Sequence, residues 1–312
     1  MGRSYAFLRG QVVPLEDAKI GVMTHAFNYG TACFEGIRAN WNAGQRQAYI
    51  FRPREHYQRL KESAAIMQMD VPYSVDDLVE MTVDLVARCE YQEDVYVRPM
   101  VYKSSEELGV RLHGLIDDLL IFVTPFGAYL DADRGIRCRT SSWRRVDDNG
   151  IPARAKITGI YINSAFAKSE AVLDGYDEAI MLTHEGHVSE GSGENIFLVD
   201  REKKRLITPD PSQNILEGIT RESVMTVARE ELGFETIERA VDRSELYTTD
   251  EVFMTGTAAH VSAVVEVDRR PVGNGDVGPV TRHLQKTYFE AITGNNASYM
   301  HWCVPVPVAV GV

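Results

Sequence analysis

The sequence predicts a mixed α/β protein of the α+β type, built as two domains. Three observations predict it. The 312 residues are long for one domain, since domains typically hold ~100–200 residues. Segments with strand character and segments with helical spacing follow one another without regular βαβ alternation, which argues against a doubly wound sheet. Residues 124–134 (TPFGAYLDADR) carry proline, glycine and aspartates and mark a boundary. The expected division is 1–123 as a small N-terminal domain, 124–135 as an interdomain loop and 136–312 as a larger C-terminal domain.

In chain order, residues 4–8 and 11–14 read as a hairpin around Arg9-Gly10, and 47–51 as a strand. Residues 53–69 read as a helix with proline in its first turn. Ser74 opens a second helix, with Asp77 completing a capping box and Leu78, Met81, Leu85 and Val86 at helical spacing. Residues 95–102, 119–123 and 136–141 are strands, and 147–152 a loop. Residues 157–173 are helical, with Gly175 as the stop. Residues 178–183, 188 onward and 195–199 form a meander with turns at 185–186 and 202–204. Helices at 219–232 and 280–293 flank a strand at 251–255. Residues 304–312 (VPVPVAVGV) read as a packed or subunit-contacting tail.

Composition excludes several classes. Hydrophobic residues make up 44% and charged residues 25%, as in globular proteins. A net charge of −12 argues against nucleic acid, which demands a basic face. No apolar run reaches the ~18 residues of a membrane span, and the first ten residues lack a signal peptide's apolar stretch. Cys33, Cys89, Cys138 and Cys303 form no CxxC pair, which suits a reducing cytosol and no metal site. Gly191-Ser192-Gly193 lacks the third glycine and the helix of a dinucleotide loop. His184 and His187 lie three apart in a turn and read as exposed residues.

Four segments carry chemistry. Lys156 sits in an uncharged setting, AKITGIYIN, where burial would favour a neutral, nucleophilic amine. Tyr161 follows within one and a half helical turns. VSEGSGENIFLV (188–199) sets Glu190 among glycines that let backbone approach a ligand. LEGITRES (216–223) opens a helix at Gly218-Ile219-Thr220, where N–H groups, dipole and hydroxyl form an anion site. FMTGTAAH (253–260) runs a strand into small residues around Gly256 and Thr257, with the amides of Ala258 and Ala259. Each segment alone also has an ordinary reading: an exposed lysine, a glycine-rich turn, a threonine cap, a tight turn. Their order together carries the argument.

Taken with HAFNYGTACFEGIR (25–38), FRPREHYQRLKESA (51–64), VYVRP (95–99) and FGAYL (126–130), these segments resemble the class IV pyridoxal-phosphate aminotransferases, specifically the branched-chain amino-acid aminotransferases, over nearly the whole chain. The resemblance implies the two-domain fold type IV, with a small N-terminal α/β domain and a larger C-terminal pseudo-barrel that binds pyridoxal phosphate. It implies a cytoplasmic homodimer that transfers the amino group of leucine, isoleucine or valine to 2-oxoglutarate. Lys156 would form the internal aldimine and shuttle the proton. Glu190 would pair with the ring nitrogen, Tyr161 would contact the ring oxygen, and Leu216 would pack on the ring. Arg59, Gly218, Ile219, Thr220, Gly256 and Thr257 would hold the phosphate side. Tyr96 and the amides of Ala258 and Ala259 would take the substrate α-carboxylate, and Arg98 the distal carboxylate of glutamate. Phe34, Phe126, Tyr129 and Tyr161 would wall an apolar pocket, with Arg38 and Tyr29 at its rim. Leu108 and Val110 would reach the neighbouring subunit's pocket. Phe126, Leu108, Glu217 and Ile160 depart from residues common in the family, and the first two alter the pocket wall. The nearest alternative is a D-amino-acid or (R)-amine transaminase of the same family.

Overall fold

A computed structural model describes residues 3–127 and 134–307. In the first part of the chain it contains β1 (Tyr5–Leu8), β2 (Gln11–Pro14), α1 (His25–Tyr29), β3 (Ala32–Phe34), β4 (Ile37–Asn42), β5 (Gln47–Phe51), α2 (Pro53–Ile66), α3 (Val75–Cys89), β6 (Val95–Lys103) and β7 (Asp117–Pro125). The second part contains β8 (Ile136–Arg144), α4 (Tyr161–Leu173), β9 (Glu178–Leu182), β10 (Val188–Gly191), β11 (Asn195–Asp200) and β12 (Arg205–Thr208). It continues with α5 (Ile219–Leu232), β13 (Glu235–Glu238), β14 (Glu251–Gly256), β15 (His260–Val267), β16 (Arg270–Pro271), α6 (Pro279–Ile292) and β17 (Cys303–Pro305).

These elements form two compact units. Among the described residues the first holds 3–127, 155–159 and 290–307, and the second 134–154 and 160–289. A single division at 124–135 puts 155–159 and 290–307 with the second domain. They pack instead with the first, because Ile157 bridges Cys33 and β17 pairs with β5. Lys156 therefore belongs to the first unit. Of the tail, Val304 and Pro305 belong to the edge strand β17 and Val306 is buried, while residues 308–312 lie outside the described residues.

In the first unit an antiparallel sheet runs β17-β5-β4-β6-β7-β1-β2, with β3 paired to β6. Alternation along β6 divides its faces: Val95, Val97 and Val101 are buried, while Tyr96, Arg98 and Met100 are half-exposed. α2 and α3 cover this unit; α3 is fixed by the capping box between Ser74 and Asp77. α2 stops at Ile66 rather than 69, since Gln68 takes a left-handed conformation (φ 52°) that no helix continues.

The second unit is a sheet in the order β10-β9-β8-β15-β14-β11-β12-β13. Its ends meet: Val188 N–H donates to Val241 O at 2.8 Å and His187 bridges Asp242, so the sheet curls into the expected pseudo-barrel. That bridge leaves His187 half-buried and 3.6 Å from the Asp242 carboxylate, whereas His184 is exposed; only one of the two fits the expected exposed turn. Ile136, Ile180, Leu182, Ile196, Leu198, Val252, Met254 and Val264 share one core cluster, while Phe197 stacks on Phe253 at 4.9 Å on the alternate positions. Residues 195–199 of β11 are consequently buried on both faces, and Ile196, Phe197, Leu198 and Val199 read as a continuous apolar run. The helix expected from 157 begins with a 3-10 turn at Thr158–Ile160 before α4.

Candidate functional site

The first unit carries one set of site residues. Lys156 is half-buried, and its main chain is held on both sides: its N–H donates to Ser63 Oγ at 3.1 Å and its carbonyl accepts Phe34 N–H at 3.0 Å. The amine lies 5.1 Å from the Phe34 ring centroid. Thr158 ties the same segment to the carbonyls of Gly30 and Ala32 at 2.7 and 3.1 Å.

Arg59 projects from α2 at the same face as His56 and Ser63, at i, i−3 and i+4. Both its Nε and one terminal nitrogen donate to the Glu35 carboxylate, at 2.7 and 2.8 Å. His56 Nδ1 lies 2.7 Å from the same carboxylate, which only accepts, so Nδ1 carries the proton. Glu35 is fully buried. Burial works against its charge, yet Arg59 beside it and the His56 bond outweigh that and hold the carboxyl well below the usual carboxylate range. Burial keeps His56 below the ordinary imidazole value, hence neutral. Neither Glu35 nor His56 was singled out from sequence; their signal was the i, i+3 spacing of His56 and Arg59 and a charged residue directly after the short apolar strand β3.

Cross-strand pairing sets the remaining residues of this unit. Arg38 faces Tyr96, and Phe34 faces Met100, so Phe34, Arg38, Tyr96 and Arg98 share one face. The Tyr96 hydroxyl lies over Gly36, where a Cβ would approach within 2.0 Å, so this close approach requires glycine. Arg98 donates to Tyr96 Oη at 3.0 Å and stacks 4.3 Å from Phe34, while its buried Nε has no hydrogen-bond partner among the described residues. Phe126 lies 5.2 Å from Tyr96. Arg38, expected at a rim, is instead 4% exposed and bound to the carbonyls of Phe126 and Gly127 and to Asp94. Tyr129 lies outside the described residues. Leu108 and Val110 are 64% and 90% exposed. Between them Gly109 has φ 142° and is anchored by His25 Nε2, which donates to its carbonyl at 2.7 Å, and by the Tyr29 hydroxyl, which accepts its N–H at 3.3 Å.

The second unit carries another set. Glu190 is 5% exposed. One oxygen faces Arg145 at 2.7 Å, and the other accepts Leu216 N–H at 3.0 Å and Asn195 Nδ2 at 3.1 Å. Asn195 also donates to Leu216 O at 2.7 Å, so the carboxylate and the LEGIT turn are locked together. A Cβ on Gly218 would lie 2.2 Å from Asn195 Oδ1, so glycine is needed there too. Gly218 caps α5, leaving the first-turn amides of Ile219 and Thr220 for an anion. The Thr220 hydroxyl lies 3.3 Å from that of Tyr288. Gly256 ends β14 opposite His260, and Thr257, Ala258 and Ala259 form the intervening turn. Next to it Thr255 Oγ1 is buried without a hydrogen-bond partner among the described residues. Tyr161 is half-buried at the first turn of α4. Arg145 and Asn195 were missed in sequence, since an arginine at a strand end and an asparagine after glutamate have many ordinary uses.

The first unit thus carries an amine on a doubly anchored segment, and the second carries a helix-terminal anion site beside an anchored carboxylate, the groups that an enzyme of lysine-based chemistry with an anionic cofactor requires. The model of the family described as amino-transferase class IV matches residues 32–267. A probable branched-chain-amino-acid aminotransferase of Aquifex aeolicus (strain VF5) is 51% identical over 302 residues, 97% of this chain and 96% of that one. The branched-chain-amino-acid aminotransferase of Escherichia coli (strain K12) is 41% identical over 302 residues, 96% of each chain. Among solved structures, a branched-chain aminotransferase from Thermoproteus uzoniensis with norvaline aligns with a TM-score of 0.92 and 42% identity, covering 98% of this chain and 100% of that one. The branched-chain amino acid aminotransferase from Thermobaculum terrenum in its PLP-form (holo-form) aligns at 0.93 and 36% identity, covering 98% and 99%. The chain belongs to the class IV aminotransferases, which use pyridoxal phosphate, and within them to the branched-chain-amino-acid aminotransferases.

Proposed function

We propose that this chain transfers the amino group of L-leucine, L-isoleucine and L-valine to 2-oxoglutarate, with Lys156 as the catalytic amine. The observation that carries the reading is the presence of an anchored lysine together with a buried carboxylate, Glu190, whose negative charge is fixed by Arg145, Asn195 and the Leu216 amide. The residues fit the cofactor: Gly218 and the α5 amides leave room and donors for a phosphate, and Thr255 and Arg98 keep buried polar atoms for a ligand. Bound pyridoxal phosphate supplies an electron-withdrawing ring that stabilises charge at the substrate α-carbon.

Each residue then has a task. Glu190 would hold the ring nitrogen protonated. The amides of Ile219 and Thr220, with Arg59, Gly256 and Thr257, would bind the phosphate, while Leu216 would pack on the ring and Tyr161 would donate to its oxygen. Lys156 Nζ accepts the proton leaving the substrate α-carbon. Tyr96 and the Ala258 and Ala259 amides bind the α-carboxylate. Phe34 and Phe126 face an aliphatic side chain, and Arg98 takes the distal carboxylate of glutamate. A hydrophobic wall discriminates one methylene by only ~1–3 kcal/mol, so all three branched donors are substrates.

The working form is a cytoplasmic homodimer. Val22, Phe27, Leu108 and Val110 are 79%, 69%, 64% and 90% exposed on the first unit, an apolar group that supports burial by a second copy. All four cysteines are free and buried, which supports a reducing compartment. No described helix is long and apolar enough to cross a membrane. A donor screen with L-leucine, D-alanine and an (R)-arylamine tests the substrate class: L-leucine reacts fastest, and exclusive reaction of D-alanine overturns the assignment.

A further inference from the structure

We propose that Arg38 and Asp94 are a positioning pair that sets side-chain selectivity through Phe126, without touching the substrate. The inference rests on the reading above that Phe126 faces the substrate side chain. Arg38 lies on β4 directly opposite Tyr96 on β6, and its side chain is 4% exposed. A guanidinium taken out of water needs its charge and donors matched. Here a terminal nitrogen donates to Phe126 O at 2.8 Å and faces Asp94 Oδ2 at 3.3 Å, and the other reaches Gly127 O at 3.4 Å.

Asp94 holds the same residue from the other side. Its carbonyl accepts Phe126 N–H at 3.0 Å, and its Oδ1 accepts Trp41 N–H at 2.8 Å. Both main-chain polar groups of Phe126 are therefore bonded to Arg38 and Asp94, which also pair with each other. The ring is fixed in addition: the Arg38 guanidinium lies 5.3 Å from its centroid, and the Tyr96 ring 5.2 Å away. A planar fork can serve a carboxylate, two carbonyls and a ring face at once, and the compact ammonium of lysine cannot. Both terminal nitrogens are turned to this chain's own carbonyls and to Asp94, which gives Arg38 a task other than substrate binding.

Steady-state kcat/KM of the holoenzyme for L-leucine, L-valine, L-phenylalanine and L-glutamate tests this in Arg38→Lys, Asp94→Asn, Phe126→Leu and the double variant Arg38→Lys/Phe126→Leu. Arg38→Lys and Asp94→Asn each lower the preference for leucine over phenylalanine by about fivefold or more, chiefly through the KM for leucine. Phe126→Leu shifts the same preference, and adding Arg38→Lys to it moves the ratio by less than about twofold, since the two act through one ring. Asp94, with its side chain 36% exposed, carries the test should Arg38→Lys not fold. An equal fall for every donor overturns the proposal in favour of a purely structural pair. A loss confined to glutamate overturns it in favour of direct carboxylate binding. A Phe126→Leu enzyme with unchanged preference removes the wall assignment itself, a failure distinct from that of the pair.

Discussion

Glu35 and Arg59 meet edge to edge, with both carboxylate oxygens accepting guanidinium N–H groups at 2.7 and 2.8 Å inside the first unit. Glu35 is fully buried, so its charge persists because Arg59 compensates it and His56 donates a hydrogen bond to it. Glu35→Gln deletes the anion that faces Arg59. Breaking such a pair costs roughly 3–5 kcal/mol. Urea unfolding should show a lower midpoint at unchanged slope, and a loss below about 1 kcal/mol would show that the pair does not support the unit.

Lys156→Ala removes the amine but neither of its main-chain anchors to Ser63 and Phe34. The fold should persist, with unchanged far-ultraviolet circular dichroism, while leucine transamination disappears. Borohydride reduction of the wild-type holoenzyme followed by peptide mapping should label position 156. Turnover by the variant, or label on another lysine, would contradict the assignment.

Glu190→Gln keeps an acceptor for Leu216 and Asn195 and deletes the charge opposite Arg145. The ring nitrogen then lacks its anionic partner. Loss of one preorganised electrostatic partner is worth about 10²–10³ in kcat. Cofactor affinity, read by titrating apoenzyme absorbance, should fall less than kcat. A variant within about threefold of wild-type kcat would rule out the assigned role.

Arg98 keeps a buried Nε without a hydrogen-bond partner among the described residues, while its terminal nitrogen contacts Tyr96. Arg98→Ala should raise KM for glutamate and 2-oxoglutarate by about 30-fold or more and that for leucine far less, as expected for one lost partner of a buried charge pair. Equal losses for glutamate and leucine would count against this role.

Glu194 is 6% exposed, with Gly193 N–H at 3.0 Å. Burial first, and the charge of Glu178 second, push its carboxyl from 4.5 up to about 8. The folded chain thus holds a proton that the unfolded chain releases. Stability conferred by this group is complete below 4.5 and is lost as pH rises toward about 8. Glu194→Gln should flatten the decline in melting temperature across that window. A variant whose profile parallels the wild type would place the pH response elsewhere.

Much of the local structure was legible in the chain. The α5 limits, the α3 capping box, β5 and the β1–β2 hairpin follow from spacing, caps and turn residues acting over a few positions. β4, IRANWN, was not legible, because arginine and asparagines interrupt its apolar pattern; it is a strand because β5 and β6 pair with it on both sides. The domain limits were hidden for a related reason: contacts of Ile157 and β17 with distant strands draw late segments into the first unit.

By itself, the sequence determined which groups are present and in what order: the lysine segment, the glycine-flanked carboxylate, the helix-opening threonine and the paired aromatic and arginine strand. Short-range stereochemistry and side-chain reactivity suffice for that. Only the tertiary structure decided what orients them. Glu35 on Arg59, Arg145 on Glu190 and Arg38 on the Phe126 carbonyl are contacts between residues from 24 to 88 positions apart. A buried charge takes whichever partner the packed backbone brings within hydrogen-bond reach, and no local pattern in the chain records that choice.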